Sequence, residues 1–243
     1  MKIEKQNIDF YYINLLTRPD KKEKTINHLA QHQIEAKHFN ALTGADQYLN
    51  IVGLNYNNGA RGCMLSHIKL INEFDRSTNK ILGVFEDDVL LCDDFNERLE
   101  YISQNFNKEW DIFFLSSFYH LNTDPIKDKP VMFEFTDVKY ITRVYSSFCT
   151  HAYLINPNSI DKIRSLILNQ VELSYAIDHV YVQIEQQLNC YAFTPGMANQ
   201  RTDISDITNG LTDKTVFERI LGTHYFCNRL ENFDYDTFYS INK

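Results

Sequence analysis

Glu86, Asp87 and Asp88 stand together directly after the apolar run Ile81-Leu82-Gly83-Val84-Phe85. A run of that kind reads as a buried strand, and carboxylates at the carboxyl end of such a strand sit where ligands bind in open α/β sheets. Continued strand geometry turns Glu86 and Asp88 to one side, roughly 6–7 Å apart along the chain, and Asp87 to the other. Two converging carboxylates repel each other unless a cation joins them. An all-oxygen donor set suits Mg²⁺ or Mn²⁺, which keep positions open for water and phosphate. Such an ion grips a diphosphate and stabilises the charge that builds on it as a bond breaks. The same three acids also fit a solvated loop after a strand, so the tripeptide alone leaves both readings open.

The surrounding pattern supplies the elements that must hold these acids. Phe10 to Leu15 reads as a first strand, followed by a helix with Pro19 at its first position. Ile26, Leu29 and Ala30 form that helix's apolar stripe, and Ile34 to Ala41 reads as a second strand. Gly44 to Gly59 is an Asn- and Gly-rich loop; Met64, Leu65, Ile68, Ile71 and Phe74 then mark a helix from Arg61 to Phe74. Further helices are predicted at 94–105, around Ile160, Ile163 and Leu166, and at 174–187. Further strands are predicted at 111–115, 138–144, 151–155 and 190–193, with a polar loop over 119–130. After Pro195 the pattern weakens. Alternating helices and near-continuous apolar strands predict one α/β domain over residues 1–243, a mostly parallel, helix-covered sheet without repeat or linker.

The formal net charge of −8 argues against broad capture of nucleic acid or of an anionic membrane surface. It also means that a phosphate-bearing substrate needs a bound cation or locally placed Lys and Arg. The five cysteines, Cys63, Cys92, Cys149, Cys190 and Cys227, are widely spaced, which suggests free thiols rather than a zinc site or a disulfide framework. The start MKIEKQNIDF has no apolar signal core, and no stretch approaches the ~18 apolar residues of a membrane span. A cytoplasmic location is the expectation, with peripheral membrane contact left open.

Several blocks, in order, resemble glycosyltransferase family 25, the lipooligosaccharide and collagen-type galactosyl- and glucosyltransferases. They are Tyr12-Ile13-Asn14-Leu15 with Arg18 and Asp20; Gly62-Cys63-Met64-Leu65-Ser66-His67; and Val84-Phe85-Glu86-Asp87-Asp88-Val89. Trp110-Asp111-Ile112, Thr150 to Ile155, Ile177-Asp178-His179, Tyr191 to Gln200 and Ser205-Asp206-Ile207 continue the match. Phe85 departs from the aliphatic residue more usual there, the loop from Asp46 to Gly59 is not recognisable, and everything after Asn209 lies outside the resemblance. A helical extension is expected over about 210–243.

The resemblance implies a GT-A-like (Rossmann-like) fold and an inverting, metal-dependent transfer of galactose or glucose. The donor is a UDP-sugar, and the acceptor a glycan, glycolipid or protein of lipopolysaccharide-type biosynthesis. Set against the family's Asp-x-Asp motif, Asp88 takes the last position and binds Mn²⁺ (or Mg²⁺). Glu86 takes the first, meeting ribose or a metal-bound water, with Asp87 between. Asn14, Leu15 and Arg18 lie past the first strand, where such folds hold the nucleotide, although Arg18 also fits a solvated cation at a helix start. Ser66 and His67 are read near a helix N-terminus, whose free amides favour phosphate; a packed core histidine is the rival for His67. Asp178 is the candidate base for the acceptor hydroxyl, with a helix cap as its other reading and His179 as the other base. Gln200, Ser205 and Asp206 close over the diphosphate or complete the metal shell. Two other classes stay open: a metal-dependent phosphohydrolase, which lacks a nucleophilic Asp motif here, and a non-catalytic nucleotide-sugar-binding module.

Overall fold

A computed structural model describes residues 1–48, 58–116, 133–148, 150–170, 176–202 and 226–242. Strand β1 (Ile8–Asn14) leads through helix α1 (Pro19–Gln31) to β2 (Ala36–Asn40), and helix α2 (Asn58–Glu73) leads to β3 (Ile81–Glu86). β4 (Val89–Leu91), helix α3 (Phe95–Asn105), β5 (Ile112–Phe114), β6 (Phe133–Phe135), β7 (Ile141–Val144) and β8 (Ala152–Ile155) follow. Helix α4 (Ile160–Gln170), helix α5 (Ile177–Ile184), β9 (Cys190–Phe193), β10 (Ala198–Gln200) and a helix Tyr235–Asn242 complete the described elements.

Eight strands form one sheet in the order β2-β1-β3-β8-β5-β9-β7-β6, and β10 pairs with β4 in a separate two-stranded ribbon. β1 lies parallel between β2 and β3, and β5 parallel to β9, whereas β8 runs antiparallel to both β3 and β5. The helix-covered α/β sheet expected from the sequence is present, with the parallel β2-β1-β3 part carrying the acidic strand end and mixed pairing beyond it. Alternation of side chains splits the core between the two faces. Leu82, Val84, Ile112 and Phe114 pack with Met64, Leu65 and Ile68 of α2 and with Ile163 and Tyr181 of α4 and α5. Ile81, Phe85 and Phe113 face the other way, onto Leu29 of α1 and Phe95 and Leu99 of α3. Gly83 makes room within β3: a Cβ there would lie 2.4 Å from the Phe10 ring, which stacks on Phe85 with centroids 5.1 Å apart.

Three local expectations change. Ile26 is 45% exposed, and α1 instead buries Lys21, Thr25 and Leu29, spaced four apart on one face. Residues 138–140 are a turn rather than strand, because Tyr140 has φ 68° and the Ile141 amide bonds back to the Val138 carbonyl at 3.1 Å. The helix predicted over 174–187 is α5 followed by a 3₁₀ turn at Glu185–Gln187, while 171–175 lie outside the described residues. β6 and β10 carried no recognised signal. The predicted loop at 119–130 and most of the extension from 210 also lie outside the described residues.

Candidate active site

β3 ends at Glu86, so the alternation assumed for the acids stops there, and Asp87 and Asp88 form a turn into β4. Ile13 pairs with Glu86 across β1 and β3, which brings Asn14, at the next step of β1, beside the turn. Asn14 is 1% exposed and donates from Nδ2 to Asp87 Oδ2 at 2.8 Å and to the Arg18 carbonyl at 3.1 Å. Lys21, 4% exposed, places Nζ 3.4 Å from Asp87 Oδ1. The Asp87 carbonyl accepts from Thr25 Oγ1 at 2.5 Å and from Arg201 Nη2 at 2.5 Å. Arg201, just past β10, also donates to the Val89 carbonyl at 3.1 Å, and its amide donates to the Asp88 carbonyl at 2.6 Å. Asp87 is thus a pin that ties the acidic turn to β1, α1 and β10.

Glu86 turns to the opposite side. Its Oε1 accepts from Thr150 Oγ1 at 3.1 Å and lies 3.3 Å from His67 Nε2. Burial alone would raise the Glu86 carboxyl, but the His67 imidazole 3.3 Å away, the His151 imidazole and the Thr150 hydroxyl together hold it below its ordinary value. His67 is fully buried, and its Nδ1 meets the Tyr153 hydroxyl at 2.9 Å. Asp88 is the acid left over. Its Oδ1 is buried without a hydrogen-bond partner among the described residues. Burial first, then the charges of Glu86 and Asp87, push its carboxyl up to about 7, against the pull of Lys21 and Arg201.

The Gly62-Cys63-Met64-Leu65-Ser66-His67 segment has a physical reading. A Cβ on Gly62 would lie 2.6 Å from the Leu42 carbonyl, so glycine lets α2 meet the chain that follows β2. Ser66 Oγ accepts from the Leu42 amide at 2.8 Å and donates to the Gly62 carbonyl at 2.6 Å, which secures the same contact. Because α2 begins at Asn58, Ser66 and His67 lie in its middle, not at its N-terminus, and their amides are not free for phosphate. Ser66 is a structural joint; His67 is both core and site.

Arg18 occupies the cap position of α1 and grips Asp20 through Nε at 3.0 Å and Nη2 at 2.9 Å, which holds the Asp20 carboxyl well below the usual range. Leu15 lies beside it in the same turn, its carbonyl accepting from the Arg18 amide at 2.9 Å. Asp178 is the second residue of α5, whose cap is Ala176, so it is not the helix cap. Its Oδ1 accepts from the His179 amide at 2.9 Å. Burial raises its carboxyl, opposed by His179 and reinforced by Glu86. Gln200 ends β10 in register with Val89, at the rim of the acidic turn. Ser205 and Asp206 lie outside the described residues. Lys21, Thr25 and Arg201 escaped the sequence reading; the four-residue spacing of Lys21, Thr25 and Leu29, starting close to Asn14, was the available signal.

Fold and site together define a helix-covered α/β enzyme with an acidic centre at the carboxyl edge of its sheet. Residues 7–181 match the sequence model of glycosyltransferase family 25, described as an LPS biosynthesis protein family. The chain belongs to that family and is a glycosyltransferase. The matched span includes every site residue named above except Gln200, Arg201, Ser205 and Asp206. No curated protein matches the chain.

Solved structures similar to it include the inositol-1-phosphate CTP transferase from T. maritima, at 13% identity and TM-score 0.43, covering 87% of this chain and 75% of that one. The CTP:phosphocholine cytidylyltransferase from Streptococcus pneumoniae has 12% identity and TM-score 0.39, covering 88% of this chain and 78% of that one. A glycosyltransferase involved in glycosylation of the major capsid of PBCV-1 has 8% identity and TM-score 0.34, covering 78% and 94%. At that distance they say nothing of what this chain acts on.

Proposed function

We propose that the chain is an inverting, metal-dependent hexosyltransferase that moves galactose or glucose from a UDP-sugar to a glycan, glycolipid or protein acceptor. The observation that carries this reading is Asp88: a half-buried carboxylate whose Oδ1 is buried with no hydrogen-bond partner among the described residues, with two more acids beside it. Leaving such an oxygen unpaired is costly, and a hard divalent cation is the partner its chemistry suits. Asp88 would hold Mn²⁺ or Mg²⁺, with Glu86 and Asp206 as further donors. The ion would supply charge stabilisation on the departing diphosphate.

The chain's own residues do the remaining work. Asn14, Lys21, Thr25 and Arg201 fix the acidic turn through Asp87, so Asp88 is presented in one position. Lys21 and Arg201 also put positive charge where a net-acidic protein must receive phosphate. Glu86, its carboxyl held below the ordinary value, would accept from a ribose hydroxyl. Asp178, its carboxyl raised by burial, would take the acceptor hydroxyl's proton as that oxygen attacks the anomeric carbon. A panel of nucleotide-sugars incubated with Mn²⁺ tests the reading by following release of the nucleoside diphosphate. Release from UDP-galactose or UDP-glucose that chelation stops is the expected result. A panel without turnover, alongside intact UDP binding, would make the chain a binding module.

A further inference from the structure

Cys63 and His67 are one helical turn apart on α2, on the face turned toward the end of β3. The Cys63 sulfur, an imidazole nitrogen of His67 and a carboxylate oxygen of Glu86 all lie within 4.8 Å of one another. The ring is set for ligation: Tyr153 holds Nδ1 at 2.9 Å, and Nε2, fully buried, makes no hydrogen bond among the described residues although Glu86 Oε1 is 3.3 Å away. A second-shell hydroxyl that fixes one ring nitrogen is what commonly orients the other toward a metal. The cysteine spacing gave no hint of this, because the ligands come from one Cys, one His a turn later and a distant Glu.

We propose that Cys63, His67 and Glu86 form a site for Zn²⁺ that competes with donor binding by withdrawing Glu86 from it. Thiolate and imidazole select zinc over magnesium or manganese, and three protein ligands leave a fourth position for water. This donor set differs from the carboxylate oxygens proposed to hold the cation at Asp88, so the two cations would be sorted by ligand chemistry. Binding displaces the Cys63 thiol proton to solvent. The competition with donor rests on the transferase reading; zinc binding itself does not.

Cobalt(II) is the direct probe, since a thiolate ligand gives it a charge-transfer absorption that oxygen and nitrogen ligands do not. The wild-type chain should show that band with one equivalent of cobalt, and Zn²⁺ should abolish it. Cys63→Ser should lose the band, and its zinc affinity, read by competition with a chromophoric chelator, should fall by more than about 100-fold. Cys227→Ser removes a thiol that donates to the Arg229 carbonyl at 2.9 Å and should change neither. His67→Gln repeats the test from the second ligand should Cys63→Ser fail to fold. Absence of the band in wild type, or its survival in Cys63→Ser, overturns the site. With Mn²⁺ present, Zn²⁺ should inhibit sugar transfer in wild type and not in Cys63→Ser; equal inhibition of both overturns the sharing of Glu86. If no transfer is found at all, the cobalt band still reads the site.

Discussion

Asp178 and Asp87 are two carboxylates held in different ways. Both Asp87 oxygens are occupied, by Asn14 and Lys21, so it holds the turn in place. Asp178 commits one oxygen to the His179 amide, and under the proposed mechanism the other would meet an acceptor hydroxyl. Asn in its place keeps the shape and the bond to the amide but cannot take a proton. Asp178→Asn should therefore melt close to wild type and bind UDP as wild type does, while sugar transfer falls by about 10²–10⁴-fold. Transfer near the wild-type rate in a folded Asp178→Asn would remove it from the mechanism and turn attention to His179.

The segment from β7 to β8 and the end of α5 meet at Glu185, a fully buried acid whose Oε2 accepts from the Ser147 amide at 2.7 Å. Burial, and then the charge of Asp178, push its carboxyl up to about 8, against the Ser147 bond. A folded-state value above the unfolded one means the native chain keeps a proton that the unfolded chain has lost. The stability this group supports is full below about 4.5 and is lost as pH rises toward about 8. Melting temperature should drop across that window in wild type and drop less in Glu185→Gln; equal slopes would contradict the buried neutral acid. Elements of this kind also mark the limit of the sequence reading. β3 with its acids, α2 and α5 were legible because a buried strand is apolar throughout and a covering helix shows its stripe. The inner face of α1 was not, since Lys21 and Thr25 are polar and make sense only beside Asp87. β10 was hidden as well, because a three-residue strand paired with β4 has no periodicity to read, and with it went Arg201.

Across the whole molecule, one sheet carries two cores, and the functional groups gather where its parallel β2-β1-β3 part ends. β1 supplies Asn14, β3 supplies Glu86, the turn supplies Asp87 and Asp88, and α1 and the residue after β10 supply the cations. A chain of net charge −8 thereby gathers Lys21 and Arg201 around its acidic turn, where the proposed function needs positive charge for phosphate. On the proposed function, Asp88 holds a divalent cation on which nucleotide binding depends. Calorimetry of UDP with wild type and Asp88→Asn, with and without Mn²⁺, tests it most directly. Wild type should bind UDP far more tightly with Mn²⁺ than without, and Asp88→Asn, folded by thermal melting, should show no such gain. Equal Mn²⁺-dependent affinity in the two proteins would contradict it.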